Sequence, residues 1–595
     1  MKGQPPLARL AFPDLAASAG RMAAAGQRDA AVRLYADWLR HNPRSPSAFA
    51  AHFNAGCLLQ EAGRLEEALR SYGACLRANP QFVQTRLNLG NTLDRLGRRD
   101  EAIAEWRKLL VGPVDPAFTR IALNNLGLVL EAGGQWGEAI EMLARSLAID
   151  PQQDEVIYHW VRLRQRICAW PIYTEVPGIT LEQMIARTSA VAMLSVTDDP
   201  ALQRAAAQRN MAHIATGELP RLPAQAPDGH TRLRIGYLSS NFNLHAVSML
   251  IAELLELHDR TRVEVFAFSW SPQDGSAMLD RIRAGVDHFV DIGAMTDAEA
   301  ALAIHRAGID VLIDLQGLTT NARPRILAQR PAPWQLTWLG HPGTVAVPGV
   351  DYLLADRYLV PEDLQVHYAE RLLYLPRCYQ VNDRKRPQGT ALTRAAVGLP
   401  DGAFVFCALN NTNKFTPEMF GAWMDILRAT PGSLLWLLAD NPQAEQRLQQ
   451  HVLAAGIAAE RVRMAPRVDY ADYLARLPLA DLFLDTFPFN GGVTTSDALW
   501  QGLPVLTRSG RSFASRMSGS LLQAADLPEL VTHSLADYQA LAIALAQDPE
   551  RLRALRQRLQ HGRDRCALFD TPQTCRDLED LLLALVRGPH DGVAG

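Results

Sequence analysis

Two apolar rhythms divide the chain. Up to about residue 150, apolar residues recur at the three-and-four spacing of amphipathic helices, as in NAGCLLQEAGRLEEALRSYGACLRANP and NLGLVLEAGGQWGEAIEMLARSLAIDP. The pattern also repeats at long range. Gly26, Gly63, Gly97 and Gly134 are separated by 37, 34 and 37 residues, and Ala31, Ala68, Ala102 and Ala139 keep the same register. Tyr35, Tyr72 and Trp106 follow as aromatics, with Met142 in the fourth unit, and Pro43, Pro80 and Pro151 close three of the units. Each unit reads as a helix, a Gly-containing turn, a second helix and a proline stop, the small Gly and Ala positions letting the paired helices approach. One unit cannot bury its own apolar face, so several must stack.

A mostly helical stretch follows (EVIYHWVRLRQRICAW, ALQRAAAQRNMAHIA), then RLPAQAPDGH at 221–230, whose Pro, Gly and polar content marks a linker. Beyond Thr231 the rhythm changes to short apolar runs at 232–240, 263–270, 310–317, 334–340 and 351–356, several separated by helical segments. A second set occupies 404–411, 433–440, 461–466, 480–487 and 504–510. Such runs predict two parallel, doubly wound sheets. The last helices, from about Leu535 to Arg587, are expected to cover the second sheet and cross back to the first. The expected organisation is α + α/β: a repeat superhelix over 1–160, a helical linker region over 161–230, and Rossmann-like halves over 231–390 and 391–595. Two such halves leave a crevice at their strand C-termini, where ligands bind.

Composition narrows the partners. The 595 residues carry a net charge of −3 with no extended basic block, which disfavours nucleic-acid binding. The seven cysteines are scattered, form no CxxC pair and suggest a reduced, cytoplasmic protein without a zinc site. The first twenty residues lack a long apolar core, so no signal peptide is expected, and no apolar run is long enough to predict a membrane span.

The richest chemistry lies in NGGVTTSDALW, Asn490 to Trp500, between the runs ADLFLDTF and PVLTRSG. A strand, a Gly-Gly loop and a helix start suit a phosphorylated ligand. Gly491 and Gly492 let the backbone approach, while helix N-terminal amides face the anion. Thr494 and Thr495 add hydroxyls, and Asp497, one turn in, is placed to hold a ribose hydroxyl. A nucleotide-dependent enzyme is the expectation.

The helical units resemble tetratricopeptide repeats, whose concave surface usually binds extended peptide. The chain as a whole resembles the O-linked N-acetylglucosamine transferases and the bacterial SPINDLY-like proteins. That resemblance rests on RIGYLSSNFNLHAVSML, DLQGLTTNARPRILAQRPAPWQLTWLGHPGT, LPRCYQVNDRKRP, LNNTNKFTPEMFGAWMDILRATPGSLLWLL, FLDTFPFNGGVTTSDALWQGLPVLT and LFDTPQ, in that order. It implies a two-Rossmann (GT-B) glycosyltransferase with an N-terminal superhelix. The implied reaction is inverting transfer of a sugar, GlcNAc first, from a UDP-sugar to Ser or Thr of a protein held in the repeat groove. No Asp-x-Asp is present, so no metal or other cofactor is expected, and cations and amides must meet the leaving diphosphate.

By the same resemblance, Lys414 is the phosphate lysine, Asn411 an amide contacting the nucleotide, and Val493, Thr494 and Thr495 phosphate donors. Asp497 is the ribose acid, Tyr473 the aromatic stacked on uracil and Arg476 an arginine on the base. His245 falls on the acceptor and sugar side, where an imidazole of pKa about 6.5 relays protons near neutrality. His305 and His341 are further catalytic candidates, and Thr319, Thr320 and Arg323 would contact sugar or acceptor. Two departures stand out. Gly492 occupies a slot where some members carry histidine, and Leu302, three before His305, leaves an acid proposed as base in some members without a counterpart. Two other readings stay open: a UDP-glucose-dependent N-glucosyltransferase of the same fold, as in bacterial adhesin glucosyltransferases, and a repeat scaffold with a vestigial transferase. Retention of Lys414, Asp497 and the Gly-Thr loop argues against the scaffold. A homo-oligomer is compatible with all three.

Overall fold

The computed structural model describes residues 10–214, 220–224 and 230–588; residues 225–229 of the expected linker lie outside them. The chain divides into two compact units. One runs up to Arg164 and includes Tyr173–Ile185; the other joins Gln165–Ile172 to everything from Ala186 onward.

The first unit is a stack of helix pairs: α1 (Phe12–Ala24) with α2 (Arg28–His41), α3 (Ala48–Glu61) with α4 (Leu65–Ala78), α5 (Val83–Arg95) with α6 (Arg99–Arg107), and α7 (Pro116–Ala132) with α8 (Trp136–Ile149). The periodic glycines prove to be turn residues. Gly26, Gly63, Gly97 and Gly134 have φ of 75–79° and open space around the missing Cβ. Each ends its helix with the residue after it donating back to the carbonyl five positions earlier, as Arg64 does to Leu59 at 2.9 Å. Close approach falls to a second set of glycines. A Cβ at Gly56 would sit 2.5 Å from the Tyr72 ring, at Gly90 2.3 Å from Trp106 and at Gly127 2.4 Å from Leu143. The aromatic position of the fourth unit is therefore Leu143, not Met142. The four alanines of the repeat are fully buried, as expected.

The second unit holds two parallel sheets. The first is β1 (Leu233–Ser239), β2 (Val263–Ser269), β3 (His288–Asp291), β4 (Val311–Asp314), β5 (Trp334–Thr337), β6 (Tyr352–Ala355) and β7 (Arg371–Tyr374), in spatial order 3-2-1-4-5-6-7. The second is β8 (Val405–Ala408), β9 (Leu434–Leu438), β10 (Val462–Ala465), β11 (Leu482–Leu484), β12 (Val505–Arg508) and β13 (Val531–Thr532), in order 10-9-8-11-12-13. Chain direction along the sheet reverses between β1 and β4 and between β8 and β11. Those two switch points are where a doubly wound sheet opens a crevice.

The C-terminal helix Thr571–Arg587 does cross back: Cys575, Leu578 and Leu582 are buried in the core of the first sheet. Gln165–Ile172 in turn packs on the second sheet, with Cys168 in its core and the Thr412 hydroxyl donating to the Arg166 carbonyl at 2.7 Å. Among the described residues no helix is long and apolar enough to cross a membrane.

Candidate active site

The switch point of the second sheet gathers most of the expected ligand-binding residues. Lys414 closes the turn after β8, and the Gly-Gly loop follows β11 and opens the helix Val493–Trp500. The Lys414 ammonium donates to the Asn490 carbonyl at 2.7 Å and lies 3.8 Å from the centre of the Phe489 ring. Desolvation lowers its pKa to about 8, opposed by the nearby Asp485 carboxylate. A cation beside a glycine loop can meet an anion.

The loop itself is tightly built. The Gly491 N–H donates to Asp485 at 2.8 Å, and a Cβ on Gly491 would lie 2.4 Å from the Thr495 hydroxyl. Gly492 is the N-cap of the helix and has no side chain to cap it; the first intrahelical bond runs from Ser496 to Gly492, at 3.0 Å. The amides of Val493, Thr494 and Thr495 thus have no intrahelical acceptor, as at any helix start. The hydroxyls are less available. Thr494 donates to the Asn410 side chain at 2.6 Å, and Thr495 pairs with buried Ser518 at 2.7 Å. Thr495 therefore pins the loop to the next helix, Met517–Ala524.

Asp497 is buried and meets two donors through one oxygen, the Arg386 guanidinium and the Tyr470 hydroxyl, the latter at 2.8 Å. Its second oxygen, Oδ2, is buried with no partner. Burial raises its pKa while Arg386 pulls it down.

Three further expected residues have the following surroundings. Asn411 is exposed and accepts from Arg467 at 2.7 Å, whereas Asn410 faces the loop. Tyr473 stacks on Tyr470, ring centres 6.3 Å apart, and the Tyr470 hydroxyl donates to Asp497. Arg476 donates to the Pro466 carbonyl at 2.7 Å, and Arg467, nine residues upstream and before that helix, is the cation beside Asn411.

The switch point of the first sheet carries the sugar and acceptor candidates. His245 caps the helix Ala246–Leu257, its Nδ1 accepting from the Val247 N–H at 3.2 Å. With Nδ1 accepting, the neutral ring presents an Nε2–H. Desolvation also lowers its pKa. Buried Gln316 ties the two strand ends together, accepting from the Ser240 N–H at 3.1 Å and donating to the Thr319 hydroxyl at 2.9 Å and the Thr320 carbonyl at 2.6 Å. The Thr320 side chain is exposed.

Three candidates remain. Arg323 spends its guanidinium on Asp297 at 2.7 Å and on the carbonyls of Ile292 and Met295 at 3.0 and 2.7 Å. His305 lies in the last turn of the helix before β4, at the end of the sheet opposite the strand C-termini. His341 is buried, its Cβ closely packed on Gly317, and burial lowers its pKa to about 4.

A model of glycosyl transferase family 41 matches residues 211–388 and 385–578, more than half of the chain. The chain belongs to glycosyl transferase family 41. A tetratricopeptide-repeat model matches 53–116 and 87–154. Among curated relatives, a probable UDP-N-acetylglucosamine–peptide N-acetylglucosaminyltransferase, SEC of Arabidopsis thaliana, is 34% identical over 365 residues, covering 60% of this chain and 37% of the relative. The UDP-N-acetylglucosamine–peptide N-acetylglucosaminyltransferase of Caenorhabditis elegans is 27% identical over 464 residues, covering 59% and 40%. The chain thus spans about two-fifths of the length of these relatives. A solved structure of a mutant Thermobaculum terrenum O-GlcNAc transferase superposes with a TM-score of 0.66 at 29% identity, covering 91% of this chain and 98% of that one.

The family 41 fold explains why sequence reading found the loop but not its supports. Asp485, buried at the end of β11, accepts from Gly491 and from Thr507, both at 2.8 Å, and sets the loop. Its signal was an acid closing an apolar strand. Arg386 and Tyr470 donate to Asp497 and come from elements distant in sequence, so no local pattern marks them.

Proposed function

We propose that this chain transfers a sugar, most simply GlcNAc, from a UDP-sugar to Ser or Thr of a protein or peptide acceptor. The transfer proceeds with inversion and without a metal ion. The observation that carries the reading is Lys414, a half-buried ammonium on the carbonyl of Asn490, the residue that opens the Gly-Gly loop before the helix Val493–Trp500. In this reading the leaving diphosphate lies against those amides and the ammonium, whose positive charges grow in value as negative charge develops. Asp497 Oδ2 takes a ribose hydroxyl, and Tyr470 and Arg467 border the base. The acceptor hydroxyl attacks the anomeric carbon from the side of the first sheet, where His245 Nε2–H and Thr320 orient sugar or acceptor. The names of the relatives support GlcNAc as the sugar and a peptide as acceptor. The stack of repeats supports a groove for that peptide.

The test is transfer from labelled UDP-sugars to proteins of a co-expressing cell, read by mass spectrometry. Addition of N-acetylhexosamine to Ser or Thr is expected, and hexose on Asn would overturn both sugar and acceptor. Lys414→Ala should abolish transfer while the protein keeps its melting temperature. Turnover in EDTA should match that without chelator; loss restored by Mn²⁺ would remove the metal-independent mechanism.

A further inference from the structure

Arg386 belongs to the segment between the two sheets and has no part in the expected site. It is nonetheless among the most enclosed cations of the fold: its side chain is 4% exposed and that of its partner Asp497 1%. Every face is engaged. Nη1 donates to Asp497 Oδ1, Nη2 to the Ser496 hydroxyl at 2.8 Å and to Asn382 Oδ1 at 3.1 Å, and Nε to the Asp383 carbonyl at 3.1 Å. The guanidinium lies 5.0 Å from the centre of the Trp500 ring and 5.6 Å from that of Phe569. A fork of this kind fixes both angle and position of what it holds, which an ammonium cannot.

The consequence is an asymmetric carboxylate. Arg386 and Tyr470 converge on Oδ1, and Oδ2 is left buried without a donor. A native fold rarely leaves a carboxylate oxygen so, unless a ligand completes it. We propose that Arg386 is a positioning residue for the donor nucleotide. It holds one oxygen of Asp497 so that the other stands ready for a ligand hydroxyl, and it carries that hold from the segment linking the two sheets. The segment is anchored on its other side: Arg384 donates to Glu253 at 3.0 Å and Lys385 to Glu256 at 2.7 Å, both on the helix after β1. This inference rests on the nucleotide reading of the site given above.

Arg386 also keeps the carboxylate charged. The titratable and charged groups facing Asp497 are Arg386 from the linking segment and Tyr470 and Tyr473 from the helix Tyr470–Arg476. Arg386 is the sole cation among them. Without it, burial pushes the carboxyl further up and the acid takes up a proton at higher pH.

The experiment is UDP binding by calorimetry to the full chain, from pH 5.5 to 8, for wild type, R386M, R386K, Y470F, D497N and R386M/D497N. R386M should bind UDP about tenfold or more weakly, and D497N about as weakly, with the double variant no worse than either. R386K should recover part of the loss. As pH falls, R386M should lose affinity at a higher pH than wild type, which a merely structural arginine would not produce. A folded R386M that binds within about twofold of wild type at every pH would overturn the proposal, as would additive losses in the double variant. If R386M does not fold, R386K and Y470F decide: weakened binding at an unchanged melting temperature supports the role, and wild-type affinity in both removes it. A wild-type chain that does not bind UDP would overturn the nucleotide reading, and the inference with it; binding by wild type with an indifferent R386M overturns Arg386 alone.

Discussion

Lys414 carries the sharpest consequence at the residue scale. Its pKa is lowered to about 8 by desolvation, so the free enzyme loses the ammonium as pH rises past that value. The donor's kcat/KM, which reports the free enzyme, should therefore fall on the alkaline side with an apparent pKa near 8. The limb of kcat should lie higher, because bound diphosphate favours the charged form. Lys414→Arg, which does not deprotonate, should erase the alkaline limb even if the rate is reduced; a limb that persists would belong to another group. The same depression has a sign in folding. The unfolded chain binds more protons between pH 8 and 10.5, so the native state gains stability as pH rises through that window. Lysine and the glycine loop were legible because both follow apolar strands directly. Tyr470 was not singled out because the helix Tyr470–Arg476 carries tyrosines three apart, which share a face, and only packing shows which one meets Asp497. Asn410 and Asn411 pose the same problem in two adjacent amides, one buried and one exposed.

At the scale of elements, the repeat separates two uses of glycine that a sequence period merges. Gly97 is needed for its φ of 76° and Gly90 for the Trp106 ring 2.3 Å from its absent Cβ. Alanine should cost about 1–2 kcal/mol at Gly97 through the left-handed backbone and about 1–3 kcal/mol at Gly90 through overpacking. Asparagine separates them, since it tolerates the left-handed region but is larger. Gly97→Asn should be milder than Gly97→Ala, and Gly90→Asn harsher than Gly90→Ala. Hydrogen-exchange protection of α5 and α6 in the full chain reads the difference, and equal effects at the two sites would show that the assignment of roles is wrong. The period of 34–37 residues made the stack legible and could not show which small residue does what. Of the thirteen strands among the described residues, ten were readable as apolar runs; β3, β7 and β13 were not. All three lie at sheet edges, and the first two have exposed or half-exposed side chains, so they lack the two-sided burial that writes a continuous apolar run.

The whole molecule sums groups whose pH responses oppose one another. His341, buried and held neutral, has a pKa of about 4, and Asp314, buried at the end of β4, has one of about 6. For the histidine the unfolded chain binds more protons between pH 6.5 and 4, so its contribution to stability is lost as pH falls. For the aspartate the native chain binds more protons between pH 3.8 and 6, so its contribution grows as pH falls and is lost as pH rises. Each shift is worth on the order of 3 kcal/mol, and the two windows nearly coincide. Buried His258, whose pKa is also lowered by desolvation, joins His341, while Asp356, Asp485 and Asp497, raised by burial, join Asp314. His258 further ties the first sheet's half of the second unit to the C-terminal helix. It faces the Tyr237 hydroxyl at 2.8 Å and Glu579 of the C-terminal helix at 2.9 Å, a link between residues 321 apart in sequence. A flat wild-type melting temperature between pH 7 and 5 would thus conceal large opposed terms, and single variants should unmask them. His341→Gln should tilt the profile toward greater relative stability in acid, and Asp314→Asn should tilt it the other way, so that the double variant returns to the wild-type slope. Profiles that move together, or not at all, would show that neither side chain is held in the protonation state its burial dictates.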